Sequence, residues 1–241
     1  MQLKLIKKLE EAKDTKSFFF EGSKDITWLP GQYYYFTIPN LSYPDPRGPT
    51  RHFTISASPT EGPTLRLTTR VRSDSGFKQS LNELPLNTVI EGEGPNGTFI
   101  LDENESGNHV FLAGGIGITP FRSFIKYNID KGLVDISLHL ICANSTPEEI
   151  AFRKDLADWG NNYKNIRVDF TITKPEESKE KWNGLTGRIE ENLIRKLAGE
   201  RLSTSTFWVC GPPPMVEAME KVLGSLKITS DRVRTEKFTG Y

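Results

Sequence analysis

The sequence predicts a two-domain protein, an antiparallel β-barrel followed by a doubly wound α/β domain built on a parallel sheet. Three observations point to it. The chain has 241 residues, more than one average domain of about 150. Up to residue 103, short runs rich in Tyr, Phe, Thr, Val and Ile are separated by turn residues, the rhythm of an antiparallel barrel or sandwich. From residue 106 onward, strand-like and helix-like stretches alternate, which implies βαβ units and a sheet covered by helices on both faces. The domains are therefore placed at 1–103 and 106–241, with the boundary in the polar stretch DENESGN.

In the first half, QYYYFTI, RHFTISA, TLRLTTRVR and TVIEGEG read as strands, punctuated by WLPGQ, YPDPRGP and GPNG. SGFKQSLNEL differs. Phe77, Leu81 and Leu84 recur there at helical spacing, so a short helix is predicted. In the second half HVFLAGG precedes TPFRSFIKYNIDKG, DISLHLICA precedes PEEIAFRKDLADWG, IRVDFTIT precedes RIEENLIRKLAG, and STFWVCG precedes PPPMVEAMEKVLG. A final strand near RVRTEKF completes five parallel strands beside a barrel of six.

With 36% hydrophobic and 26% charged residues, the composition is that of a soluble globular protein. The 31 basic and 31 acidic residues cancel, which argues against nucleic acid as a partner. Cys142 and Cys210 are too few for a disulfide framework, a structural zinc site or an iron–sulfur cluster held by four thiolates. His52, His109 and His139 show no paired metal-ligand spacing, and no metal is expected. The N-terminus lacks an apolar signal region and no run of about 20 apolar residues occurs, so no membrane span and a cytoplasmic location are expected.

Three segments carry chemistry. In HVFLAGGIGITPFRSF an apolar strand runs into Gly114, Gly115 and Gly117, with Thr119 and Pro120 placed as N-cap and first helical residue. Glycines let a dinucleotide pyrophosphate approach the backbone, and a helix start offers unpaired N–H groups to it. The other reading is a plain tight strand–helix turn. FWVCGPPPM puts Cys210 and Gly211 at the carboxyl end of a strand, where ligands of doubly wound sheets sit, although a buried structural thiol suits the same position. RHFTIS brings Arg51, Phe53 and Thr54 onto one strand, with Arg51 and Phe53 on one face and Thr54 on the other.

Taken together and in this order, RHFTIS, GGIGITPF and CGPPPM resemble the flavin signature, nucleotide loop and nicotinamide motif of the ferredoxin–NADP reductase superfamily. WLPGQYYYF, GPNGTF and the terminal EKFTGY are similar to that family as well. The resemblance implies FAD, less readily FMN, on the barrel, NADH or NADPH on the α/β domain, and hydride passing between them. Electrons would then leave to a separate acceptor: a ferredoxin-like protein, free flavin, a quinone or a small carrier. A free-flavin reductase and a non-catalytic flavin- or nucleotide-binding regulatory subunit are the alternatives.

By the same resemblance, Arg51 matches the flavin phosphate ligand, Phe53 the aromatic beside the flavin, and Thr54 the hydroxyl near flavin N5, with His52 adjoining. Thr69 and the turn Gly76, Phe77, Lys78, Gln79 and Ser80, which replaces the family's G-x-x-S, complete the flavin contacts. Gly114, Gly115, Gly117, Thr119 and Pro120 would hold the dinucleotide, and Thr173 with Lys174 its ribose 2′-phosphate. Trp182 is either an adenine neighbour or a core residue. Cys210, Gly211 and Pro212 would meet the nicotinamide, Glu236 would orient the pair or handle protons, and Phe238 or Tyr241 is a lid over the flavin or part of a frayed terminus.

Overall fold

The computed structural model describes residues 1–22 and 26–239. Its first sheet contains β1 (Gln2–Ala12), β2 (Thr15–Glu21), β3 (Tyr33–Thr37), β4 (Thr50–Thr54), β5 (Thr64–Arg70) and β6 (Val89–Asn96), ordered β4-β3-β6-β1-β2-β5 and antiparallel throughout. The bridge between Ile55 and Leu67, with the Ser56 N–H donating to Arg66 O at 2.9 Å, brings the two edge strands together and closes the barrel. Alternation along the strands fills the interior: Leu3, Leu5, Phe18, Phe20, Tyr34 and Phe36 are fully buried. The predicted helix is present as α1 (Gly76–Glu83), and it plugs the barrel with Phe77 and Leu81.

The second sheet contains β7 (Gly107–Gly114), β8 (Ile136–Asn144), β9 (Ile166–Ile172), β10 (Leu185–Thr186), β11 (Thr206–Gly211) and β12 (Val233–Lys237), ordered β10-β9-β8-β7-β11-β12 and parallel. Five strands were expected and six are found. The extra one is β10, whose two residues pair with Thr171 and Ile172 and are too short to leave a periodic signature. Helices α2 (Thr119–Lys131), α3 (Arg153–Asn162), α4 (Glu191–Ala198) and α5 (Pro213–Ser225) cover the faces. One face is packed by Phe111, Phe121, Phe124 and Trp208, the other by Val110, Ile194, Phe207 and Val216. Among the described residues, no helix is long and apolar enough to cross a membrane.

The two sheets are fastened through α2. Arg122, 3% exposed, donates to both oxygens of Glu61 at 2.7 and 2.9 Å and to Ser56 O at 2.8 Å. The Ser123 hydroxyl donates to Ala57 O at 2.7 Å, and the Thr60 hydroxyl to Asp130 at 2.5 Å. A separate seam forms where Lys13 N–H donates to Glu148 O at 2.8 Å.

Candidate functional site

A cleft of about 1390 Å³ opens between the sheets. Its barrel wall carries Arg47, Arg70, Arg72 and Lys78, and its other wall is made by the carboxyl ends of β7, β8 and β11 with Gly114, Gly115, Asn144 and Pro212. Parallel sheets place ligands at those strand ends.

On the α/β side, the glycine-rich segment Gly115–Ile118 is a 3₁₀ turn that runs directly into α2. Thr119 has helical dihedrals and caps nothing at this N-terminus; its hydroxyl donates back to Ile116 O at 3.2 Å. The expected N-cap is thus displaced toward Gly114, because the tight turn already starts the helical backbone there. Pro120 is buried in the first turn of α2. Gly117 lies behind the cleft wall, where a Cβ would stand 2.2 Å from Cys210 O, so its lack of side chain joins the loop to the end of β11.

Cys210 is fully buried at the end of β11, beside Glu236 on β12, with Sγ 3.9 Å from Oε2. Burial, then the charge of Glu236, keeps the thiol well above its usual range, so it is a neutral thiol and no thiolate nucleophile. Burial also lifts the Glu236 carboxyl to about 7, slightly opposed by Cys210. Tyr33 is the backbone partner of Thr54 across β3 and β4, and its hydroxyl is pushed up first by its bond with Tyr35, then by burial, and last by the charge of Glu236. Gly211 accepts the Phe238 N–H through its carbonyl at 2.9 Å.

The structure gives several of the expected site residues other surroundings. Phe53 and Phe77 are core residues, with ring centroids 5.9 Å apart, because one face of β4 and the inner face of α1 both look into the barrel. The outer face instead presents His52 with Tyr33 and Tyr35, centroids 5.1 to 5.7 Å apart. Thr69 is buried, and Ser80 accepts the Tyr43 N–H at 3.1 Å through its hydroxyl. Gln79 donates to Ser73 O at 2.8 Å. Lys174 pairs with Glu177 at 2.9 Å away from the cleft lining, whereas Thr173 does line it. Trp182 donates to Leu185 O at 2.8 Å beneath the Arg153 guanidinium, outside the cleft lining. Phe238 is 7% exposed and packs with the core of the α/β domain. Tyr241 lies outside the described residues.

Sequence reasoning missed Arg70, Arg72 and Arg188, all in the cleft lining. The alternation in TTRVR, with arginines two apart at a strand end, is the signal that could have found the first two.

Arg51, 14% exposed, is held on several sides. Nη1 donates to the carbonyls of Arg47, Gly48 and Thr50, and Nη2 to Asp45 Oδ1 at 2.5 Å. Its Nε is buried with no acceptor among the described residues. Lys78, 5% exposed, is lowered to about 8, first by burial and further by Arg72, Arg47 and Arg51, against the pull of Asp74.

The profile of the oxidoreductase FAD-binding domain matches residues 2–101, and that of the oxidoreductase NAD-binding domain matches 111–221. The chain is 25% identical over 239 residues to the glycine betaine monooxygenase reductase subunit of Chromohalobacter salexigens, covering 98% of this chain and 63% of that one. It is 28% identical over 216 residues to the anthranilate 1,2-dioxygenase electron transfer component of Acinetobacter baylyi, covering 89% and 59%. It thus spans about three fifths of the length of these relatives. Its fold matches a ferredoxin NADP+ reductase from Neisseria gonorrhoeae, crystallised with FAD and NADP, at a TM-score of 0.80 and 17% identity over 98% of both chains. With both domain profiles matched in order along one chain, this protein belongs to the ferredoxin–NADP reductase-like family of FAD- and NAD-binding oxidoreductases.

Proposed function

We propose that the protein is an NAD(P)H-dependent flavoprotein reductase that takes hydride from the dinucleotide and delivers electrons to a separate redox protein. The observation that carries this reading is the shared cleft, with a cationic wall from the barrel facing the glycine-rich strand ends of the α/β domain. FAD fits the barrel wall. A buried Nε–H without an acceptor costs about 1–3 kcal/mol, and a phosphate supplies the missing acceptor. The neighbouring Lys78, Arg47 and Arg72 add positive charge to this wall, with Asp45 and Asp74 beside them.

When bound, flavin supplies the conversion of a two-electron donor into single electrons. The chain supplies position and electrostatics. Arg51 and Lys78 hold phosphate. Gly114 and Gly115 let the dinucleotide backbone approach, and Arg70 reaches the same loop from the barrel, 3.1 Å from where a Gly115 Cβ would stand. Cys210 offers the nicotinamide a neutral, polarisable surface, while Thr54 offers a hydroxyl. Glu236, poised near neutral pH, holds or releases a proton at its carboxyl. The named relatives are reductase components of oxygenase systems, which supports a protein acceptor of that kind.

The test is direct. Purified protein should be yellow and should bleach anaerobically on adding NADH or NADPH. A colourless protein that takes up neither FAD, FMN nor riboflavin overturns the proposal.

A further inference from the structure

The crossing loop between β3 and β4 contains Asp45, whose side chain is 1% exposed. It accepts four hydrogen bonds. Oδ1 takes the Arg51 Nη2–H at 2.5 Å and the Arg47 N–H at 3.0 Å; Oδ2 takes the Phe77 N–H at 3.0 Å and the Ser75 hydroxyl at 3.2 Å. Phe77 is the second residue of α1 and Ser75 its N-cap. One carboxylate therefore ties the arginine of the flavin signature to the helix start behind it.

The loop is seated as well as bonded. At Gly76 a Cβ would lie 2.2 Å from Pro44 O, and Tyr43 N–H donates to Ser80 Oγ at 3.1 Å. The Arg51 guanidinium also stands over the Phe77 ring at 5.5 Å. Three carbonyls take Nη1 and Asp45 takes Nη2, and Nε is the nitrogen left without an acceptor among the described residues. Although burial opposes it, donation from Phe77 and Arg47, the charge of Arg51 and the Ser75 hydroxyl hold the Asp45 carboxyl down at about 2, so it is ionised at every pH of interest.

We infer that Asp45 is a positioning residue for the flavin phosphate: it fixes the Arg51 guanidinium and the first turn of α1 so that the remaining arginine donor meets the phosphate, and thereby sets the preference for FMN and FAD over riboflavin. The inference rests on the flavin reading of this wall. A guanidinium donor discriminates only when its orientation is held, and here the orientation is held by a carboxylate that never touches the ligand.

The experiment is fluorescence titration of apoprotein with riboflavin, FMN and FAD for wild type, Asp45→Asn, Asp45→Glu and Arg51→Ala. Asp45→Asn should weaken FMN and FAD about 5- to 30-fold and leave riboflavin within about 2-fold. Asp45→Glu, which keeps the charge but shifts the guanidinium, should show the same selectivity at smaller size, and it carries the test if the asparagine variant does not fold. In the Arg51→Ala background, adding Asp45→Asn should cause no further loss. Equal weakening of all three flavins would reduce Asp45 to a structural residue and overturn the inference. Unchanged FAD affinity in both Asp45 variants, with Arg51→Ala weakened, overturns it while sparing the flavin reading. An Arg51→Ala protein that binds FAD as wild type does sinks that reading itself.

Discussion

Arg70, the last residue of β5 in the barrel, donates from Nη2 to Glu149 Oε2 of the α/β domain at 2.9 Å, and the same guanidinium lies across Gly115. A barrel side chain thus reaches the nucleotide loop of the other sheet, steadied there by a carboxylate from that sheet's own domain.

Arg70→Ala should raise KM for NADH and NADPH about 10- to 100-fold with kcat less affected, as loss of a guanidinium–phosphate contact requires. Glu149→Gln keeps the arginine and removes only a partly exposed ion pair, so a rise of about 2- to 5-fold is expected. Steady-state kinetics with both dinucleotides checks this. Unchanged KM in Arg70→Ala would remove Arg70 from the dinucleotide site.

Cys210→Ala should leave the protein folded and yellow but slow flavin reduction at saturating dinucleotide by about 10- to 100-fold, because the position acts through alignment of the transfer. Stopped-flow absorbance reads it, and a rate equal to wild type would make Cys210 a structural thiol.

Glu236 gives a pH dependence with a defined sign. Its carboxyl ionises near 4.5 unfolded and near 7 folded, so the stability tied to its protonated form is full below about 4.5 and is lost as pH rises through 7. Glu236→Gln should therefore gain on wild type as pH increases, by about 1–3 kcal/mol at pH 8 relative to pH 5. Urea unfolding at the two values decides, and a constant difference between the proteins would place the ionised form in no special environment.

Preference between NADH and NADPH should turn on Arg188 and not on Lys174. Arg188 lines the cleft without an ion pair among the described residues, whereas the Lys174 ammonium is taken by Glu177. Arg188→Ala should lower kcat/KM for NADPH about 2- to 12-fold more than for NADH, the size of an exposed cation facing phosphate. Lys174→Glu should change the two alike.

Much of this was readable in the sequence because glycine, proline and β-branched residues punctuate it. The glycine-rich loop after β7 and the short α1 announced themselves through spacing, and alternation in RHFTIS correctly separated Arg51 and Phe53 from Thr54. Alternation alone does not say which face is inside. Phe53 was therefore set beside the ligand when it belongs to the core, and the Tyr33–Tyr35–His52 face went unnoticed. β1 and β2 were not placed individually, since the Lys- and Glu-rich start of the chain shows its inward Leu3 and Leu5 only once the barrel is closed around them. The pairing of Asp45 with Arg51, or of Arg70 with Glu149, depends on how loops and domains meet, and no local pattern encodes that.

The fastening of α2 to the barrel has a temporal consequence. Arg122, Ser123 and Asp130 grip Glu61, Ala57 and Thr60 along the length of one helix, and Lys13 meets Glu148 at a second seam. Seams at both places hold the two walls of the cleft in one register, so flavin reduction is expected to need no closing motion of one sheet on the other. Sucrose added to the buffer should then slow the arrival of dinucleotide and of the acceptor but leave the rate of flavin reduction at saturating dinucleotide unchanged, and a reduction rate that falls with viscosity would restore a closing motion.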